Sequence, residues 1–313
     1  MKDLKLGIPY MGSKRKLSYE IVSYILRKNP NCKYFYDLFG GGGAMSFQAL
    51  QYKNIQQVYY NEIDTGVCEL LRKIQKEGVT SEFYKWVDRE TFHANKEGND
   101  WYAGLIKTVW SFGNKGCSYL FGKEIENTKR LMHEVVVNKC ENSLNELNNI
   151  VGWDISADIF KHESILKRRL AIKEFFTNRI DLQHLERLQH LEILQHLERL
   201  QHLERLQHLE ISNLSYELLA INTPISETII YLDPPYKNTG KYQNDINHNK
   251  LLEWVKNSPY KIYVSSYEFD LPCVLEIKHI STLSATNNRK YVIEKLFCNK
   301  IEISQPKKSL TLF

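Results

Sequence analysis

The chain has 313 residues, 42% hydrophobic and 25% charged, with a net charge of +5. This is enough for one large hydrophobic core or two modest ones, and the mild basic excess permits an acidic partner without requiring one. No apolar run approaches the roughly 18 residues of a membrane span, and Met1-Lys2-Asp3-Leu4-Lys5 lacks the apolar stretch of a signal peptide, so a cytoplasmic protein is expected.

Residues 18–28 place Ile21, Tyr24 and Ile25 on one side of an amphipathic helix. Tyr34 to Phe39 reads as a short aromatic strand that runs into Gly40 to Gly43, with a helix from Ala44 to about Tyr52 behind it. Gln57 to Tyr60 is a second strand, closed by Asn61-Glu62-Ile63-Asp64, and a helix follows through Lys76. Strand, glycine turn, helix and strand make a βαβ unit, which implies parallel pairing. The stretch from about 65 to 211 is polar and mostly helical in pattern, and carries Trp101, Trp110, Phe112-Gly113-Asn114 and the basic run Lys167-Arg168-Arg169. After Leu214 the α/β pattern resumes with strands at Thr228–Leu232, Lys261–Ser265 and Lys290–Cys298 and a helix at Ile246–Lys256. One α/β domain with a long insertion accounts for this order. The expected parts are 1–64, a first catalytic segment, 65–181, an insertion, 182–211, a repeat array, and 212–313, the rest of the catalytic domain.

The array is five copies of Leu-Gln-His-Leu-Glu-Arg/Ile, starting at Leu182, Leu188, Leu194, Leu200 and Leu206. A leucine at every third position drifts by about 60° per step around an α-helix. A solenoid-like stack satisfies the spacing better, although Leu, Gln, Glu and Arg are good helix formers, so a helical arm is the second reading. The copied histidines (His184, His190, His196, His202, His208) read as a repeated surface position. Six scattered cysteines, without a Cys-x-x-Cys pair or a histidine at metal spacing, point to reduced thiols and no metal.

Three clusters carry chemistry. The strand Ile229-Ile230-Tyr231-Leu232 ends in Asp233-Pro234-Pro235-Tyr236. Prolines cannot continue a central strand, so they mark its carboxyl end, where open α/β sheets bind ligands. In Asp37-Leu38-Phe39-Gly40-Gly41-Gly42-Gly43, glycines after a strand let backbone approach a ligand at a helix start. No Lys-Ser/Thr follows them, which excludes a Walker loop, and Glu62 stands at the distance of a ribose-binding acid, with Asp64 as a rival. The third cluster is Pro9-Tyr10-Met11-Gly12-Ser13-Lys14-Arg15-Lys16-Leu17, a basic turn before a helix.

Taken in this order, the three clusters resemble the Dam-type family of adenine-specific DNA methyltransferases over nearly the whole chain. The resemblance implies a Rossmann-like, mostly parallel seven-stranded sheet, S-adenosylmethionine as cofactor, and duplex DNA with its adenine turned out of the stack as partner, with a monomeric enzyme needing neither metal nor membrane. It implies that Tyr10, Gly12, Lys14, Asp37, Phe39, Gly40, Gly42 and Glu62 bind the cofactor, together with Asp233. Ser215 stands where the family often has an aspartate near the cofactor's adenine. Asp233, Pro234, Pro235 and Tyr236 would be catalytic, and Lys115, Lys123 and Lys237 would touch DNA, the first two from a mainly helical recognition insertion. Cytosine N4 in DNA, adenine in RNA, or a scaffold that has lost catalysis are the competing readings.

Overall fold

A computed structural model describes residues 6–10, 12–179, 185–236, 246–280 and 291–300. Seven strands form one sheet: β1 (Tyr34–Asp37), β2 (Gln57–Asn61), β3 (Leu209–Ser212), β4 (Thr228–Leu232), β5 (Lys261–Ser266), β6 (Cys273–Ile280) and β7 (Tyr291–Cys298). Their order is β3-β2-β1-β4-β5-β7-β6. The pairings from β3 through β5 are parallel, whereas β7 runs antiparallel to both β5 and β6. The sheet is therefore mixed, with four of its six pairings parallel and the two antiparallel ones at the β7 edge. Short connections at that edge double the chain back on itself, and antiparallel pairing needs no crossover helix.

Strand β4 shows why the centre of the sheet is apolar throughout. Ile229 and Tyr231 enter the core cluster on one face, and Ile230 and Leu232 enter the cluster on the other. A strand covered on both faces has no polar side to alternate with. Helices α1 (Ser18–Lys28), α2 (Ala44–Ala49) and α3 (Thr65–Glu77) supply Ile21, Phe47 and Leu70 to the first cluster. Helix α10 (His248–Asn257) adds Leu251 and Val255 to the second. From β1 the chain turns one way to β2 and later returns on the other side of β1 as β4, so a topological switch point lies between β1 and β4.

The insertion is helical: α4 (Arg89–Asn95), α5 (Trp101–Val109), α6 (Lys123–Asn138), α7 (Glu141–Val151) and α8 (Ile165–Thr177). Helix α5 crosses α3 so closely that a Cβ on Gly104 would lie 1.9 Å from the carbonyl oxygen of Gly66, so only glycine fits there. Two of the three basic residues of α8 turn inward, while Lys167 stays exposed. Arg168 donates to the carbonyls of Val136, His162 and Glu163, and Arg169 to Glu192 and Gln195.

Among its described residues the array is not a solenoid. Helix α9 (Gln189–Gln201) covers the middle copies, and the last copy turns through a short 3₁₀ segment into β3. The drift of leucines that spoils a one-sided helix suits one packed on several sides. Leu188, Leu191, Leu194, Leu197 and Leu200 are all buried. Arg169 of α8 grips the helix near its start, while Tyr84 and the backbone N–H of Val79 bond to Glu198 and Gln201 near its end. His190 is fully buried, its Nε2 2.9 Å from Nδ1 of His133, which corrects the surface reading of that histidine. His202 is exposed, and His208 is half-buried and lies against the Gln56 carbonyl. Among the described residues no helix is long and apolar enough to cross a membrane.

A core position in α9 must behave as one. Leu194→Ala is expected to cost about 3 kcal/mol through lost burial and the cavity left behind. Chemical denaturation measures this, and a loss within 0.5 kcal/mol of zero, roughly the range of surface changes, would show that α9 is peripheral.

Candidate active site

The amino-terminal segment lies across the glycine loop. The backbone N–H of Ile8 donates to the Gly42 carbonyl at 2.8 Å. A Cβ on Gly42 would come within 2.2 Å of the Ile8 carbonyl oxygen, and one on Gly40 within 2.1 Å of the Tyr60 ring. These two glycines thus admit the protein's own chain and ring. Gly41 and Gly43 have φ of +48° and +73°, the left-handed turn that reverses β1 into α2. Tyr10 lies along Gly41, and Gly12 is exposed with φ +74°.

Two carboxylates fasten this loop. Asp37 ends β1 with no exposed surface, and its Oδ2 accepts from the hydroxyl of Ser46 at 2.7 Å and from its N–H at 3.2 Å. Its Oδ1 is buried without a partner. Glu62, after β2, accepts from the N–H of Gly41 at 2.7 Å and from that of Asp64 at 3.1 Å. Asp64 is separated from this function. It caps α3 by accepting from the Val67 N–H and pairs with Lys107 at 2.6 Å. Asn61 ties the exits of β2 and β3 together, with Leu214 bonded at both its N–H and its carbonyl. Ser215 lies half-buried just past this tie, beyond β3 rather than in it.

Asp233 follows β4, whose neighbour β1 delivers Asp37 to the same edge; the Leu38 N–H donates to the Tyr231 carbonyl at 3.1 Å. Lys14, held where the turn enters α1, is buried and reaches the Asp-Pro-Pro-Tyr turn. Its ammonium lies 3.0 Å from Asp233 Oδ1 and donates to the Tyr236 hydroxyl at 2.7 Å. Glu294 of β7 closes the cluster, 3.7 Å from Lys14 and 2.5 Å from the Tyr236 hydroxyl. The turn before α1 is therefore not a solvated cap. Pro234 is buried, Pro235 is half-buried, and Tyr267 lies edge-on to Tyr236 with ring centres 4.7 Å apart.

Asp233 and Glu294 share one ammonium in this cleft, and the protonation of the groups around it records the burial. Burial pushes the Asp37 carboxyl up to about 7, despite the Ser46 hydrogen bond, with the Asp233 charge adding to the rise. Burial also raises Asp233, to about 6, although 19% of its side chain is exposed; Lys14 opposes the rise and Glu294 adds to it. For Lys14, burial favours the neutral form, but the charges of Asp233 and Glu294 outweigh it and hold the ammonium above its ordinary range. Burial and then the two carboxylates keep the Tyr236 phenol protonated.

Phe39 packs on Tyr216 with ring centres 5.5 Å apart, on the opposite face of the sheet from Phe35. Lys115 and Lys123 are exposed on the insertion, beside an outward Phe112 that is 67% exposed. Lys237 lies outside the described residues. Among the described residues no group of His, Cys, Asp or Glu is arranged to hold a metal ion. Sequence reasoning missed Glu294, whose only signal was an acid within an otherwise apolar strand end, and Asn61.

The buried acids set a pH dependence. Asp37 releases its proton at about 7 in the fold against 3.8 ordinarily. The unfolded chain therefore releases it first, and the stability held by the protonated form is full below 3.8 and lost as pH rises to about 7. Asp37→Asn is expected to stabilise the ligand-free protein at pH 8 by about 1–4 kcal/mol, with a smaller gain at pH 5. Calorimetric melting at the two values tests this; equal gains at both would refute the assignment of strain to Asp37.

Residues 10–192, more than half the chain, match the family described as D12 class N6 adenine-specific DNA methyltransferase. No curated protein matches the chain. The matched span holds the Lys14 turn, the glycine loop, Glu62, the insertion and the start of the array, and stops short of Asp233. With Lys14 inside the match bonded directly to the Asp-Pro-Pro-Tyr turn outside it, the chain belongs to the D12 class N6 adenine-specific DNA methyltransferase family.

Proposed function

We propose that the chain transfers a methyl group from S-adenosylmethionine to the N6 amino group of an adenine turned out of duplex DNA, at the cleft between β1 and β4. The observation that carries this reading is the meeting of the Asp37 loop and the Asp233 turn at one sheet edge, with Lys14 buried against the Asp233 turn. The donor set suits a cationic cofactor. Asp37 feels the charges of Asp233 and Glu62, the Lys14 ammonium faces Asp233 and Glu294, and Asp37 Oδ1 is an orphaned buried acceptor. A pyrophosphate would be repelled from such a cleft. A sulfonium or an α-ammonium would be attracted.

When bound, S-adenosylmethionine supplies an electrophilic methyl on a sulfonium. Glu62, anchored to Gly41, has lone pairs left for ribose hydroxyls. Tyr10, Gly12 and Lys14 border the methionine end, Asp37, Phe39, Gly40 and Gly42 form the loop that receives the cofactor, and Ser215 lies towards its adenine. An adenine amino group is a weak nucleophile because its lone pair is delocalised into the ring. Lys14 engages Asp233 Oδ1, which leaves Oδ2 to accept one amino N–H, while the Pro234 carbonyl accepts the other. Both bonds draw the nitrogen towards a tetrahedral form with its lone pair aimed at the methyl group. The Asp233 charge also stabilises the positive charge that grows on this nitrogen. Tyr236 offers a ring on which the extruded base can stack, Pro235 fixes the turn that presents it, and holding both reactants in line supplies much of the acceleration.

The insertion, residues 65–181, serves as the recognition part. Exposed Lys115 and Lys123, with Lys237 from beside the catalytic turn, contact phosphates, which position the protein on DNA without reading sequence. Asp233→Ala is expected to lower methyl transfer to DNA by about 100-fold or more, read as tritium incorporation. Cofactor binding by calorimetry largely survives. Turnover of this variant at the wild-type rate would refute the role.

A further inference from the structure

Glu294 reaches the site because of the antiparallel edge. Ser266, the last residue of β5, pairs with Lys295 of β7, so Glu294 lies one step beyond the carboxyl end of β5. There it is 3% exposed. The Tyr236 hydroxyl is offered two acceptors, Glu294 Oε1 at 2.5 Å and Asp233 Oδ1 at 3.2 Å, and it receives a hydrogen bond from Lys14 at 2.7 Å. A phenol has one proton to give, and the shorter contact takes it.

We propose that Glu294 is a positioning residue for methyl transfer: it draws the Tyr236 proton away from Asp233 and holds Lys14 between two carboxylates, so that Asp233 stays a strong acceptor for the amine. The inference rests on the reading of Asp233 given above. A single carboxylate facing the Lys14 ammonium would be neutralised by it. A second one leaves the cluster negative, as an amine gaining positive charge requires. Asp233 is faced by Lys14 from before α1, Tyr236 from its own turn, Tyr231 from β4, Tyr267 from after β5, Asp37 from β1 and Glu294 from β7. Among these described groups the carboxylic acids are Asp37 and Glu294. Asp37 is tied to Ser46, and Glu294 is the one of the two that touches Lys14 and Tyr236.

The test is the single-turnover rate of the full chain with unmethylated plasmid DNA and saturating tritiated S-adenosylmethionine, between about pH 5 and 9. Saturation removes the contribution of Asp37 to cofactor binding. The wild-type rate is expected to fall on the acid side as Asp233 protonates near 6. Glu294→Gln keeps the shape and removes the charge. Its rate at neutral pH is expected to drop on the order of tenfold, and its acid limb to move to lower pH, since losing a neighbouring negative charge makes Asp233 more acidic. Glu294→Asp, with the charge kept, should hold the limb at its wild-type position even if its rate falls, and it decides the matter if the Gln variant does not fold. A Gln limb that does not move, or an Asp limb that drops as the Gln limb should, overturns the proposal. Asp233→Asn separates the two readings. If it transfers methyl normally, the reading of the site fails; if it is inert while Glu294→Gln behaves as wild type, only the inference about Glu294 fails.

Discussion

The site depends on the parallel pairing of β1 with β4. Asp37 lies beside Tyr231 in that register, so the loop after one strand and the turn after the other leave the sheet at one edge. Pairing alone would bring acids together without compensation. Lys14 makes the arrangement tenable, because its ammonium is buried against Asp233 and Tyr236 and near Glu294. Removing one member of a buried charged cluster costs more than the cluster gains by existing, since it leaves its partners desolvated and unpaired. The amino-terminal turn, the Asp-Pro-Pro-Tyr turn and β7 are thus bound to one another through charge, while the glycine loop is held to the amino-terminal segment and to β4 by backbone hydrogen bonds.

The repeat array shows how far tertiary context overrides local pattern. Leu-Gln-His-Leu-Glu-Ile occurs twice, at 188–193 and at 206–211. The first copy enters α9, while the second makes a 3₁₀ turn and most of β3. No propensity scale can separate identical hexapeptides, so the difference lies in what each one meets. The first is surrounded by α8, α5 and the buried His133. The second finds the open edge of β2 and is held there by Gln75, whose amide donates to the carbonyls of Leu206 and Leu209. An edge strand needs backbone partners more than it needs particular side chains.

The catalytic half was legible because its signals are local. Four glycines after an aromatic strand, and two prolines after an apolar one, each announce a turn from their own chemistry, and β2 and β4 lie where alternation and length placed them. Glu294 was not legible. Nothing in Tyr291-Val292-Ile293-Glu294 reveals that the strand runs antiparallel, and direction alone decides whether this acid points past β5 or away from the cleft. The basic run around Arg168 and Arg169 gave no sign of turning inward, yet carbonyls near the end of α6 and before α8 take the donors of Arg168, and the Glu192 and Gln195 side chains those of Arg169. His190 was obscured by its copies, since a repeated unit gives one residue type several environments.

Two acids buried at one sheet edge oppose each other's ionisation. Asp37 and Asp233 are both pushed towards protonation by burial, and each charge makes the other harder to form. A cation entering between them relieves both, so cofactor binding and ionisation of the acids must be linked, each promoting the other. In the reaction proposed above, Asp233, which would accept the amino N–H, would be most fully ionised with a cation beside it and so the stronger acceptor.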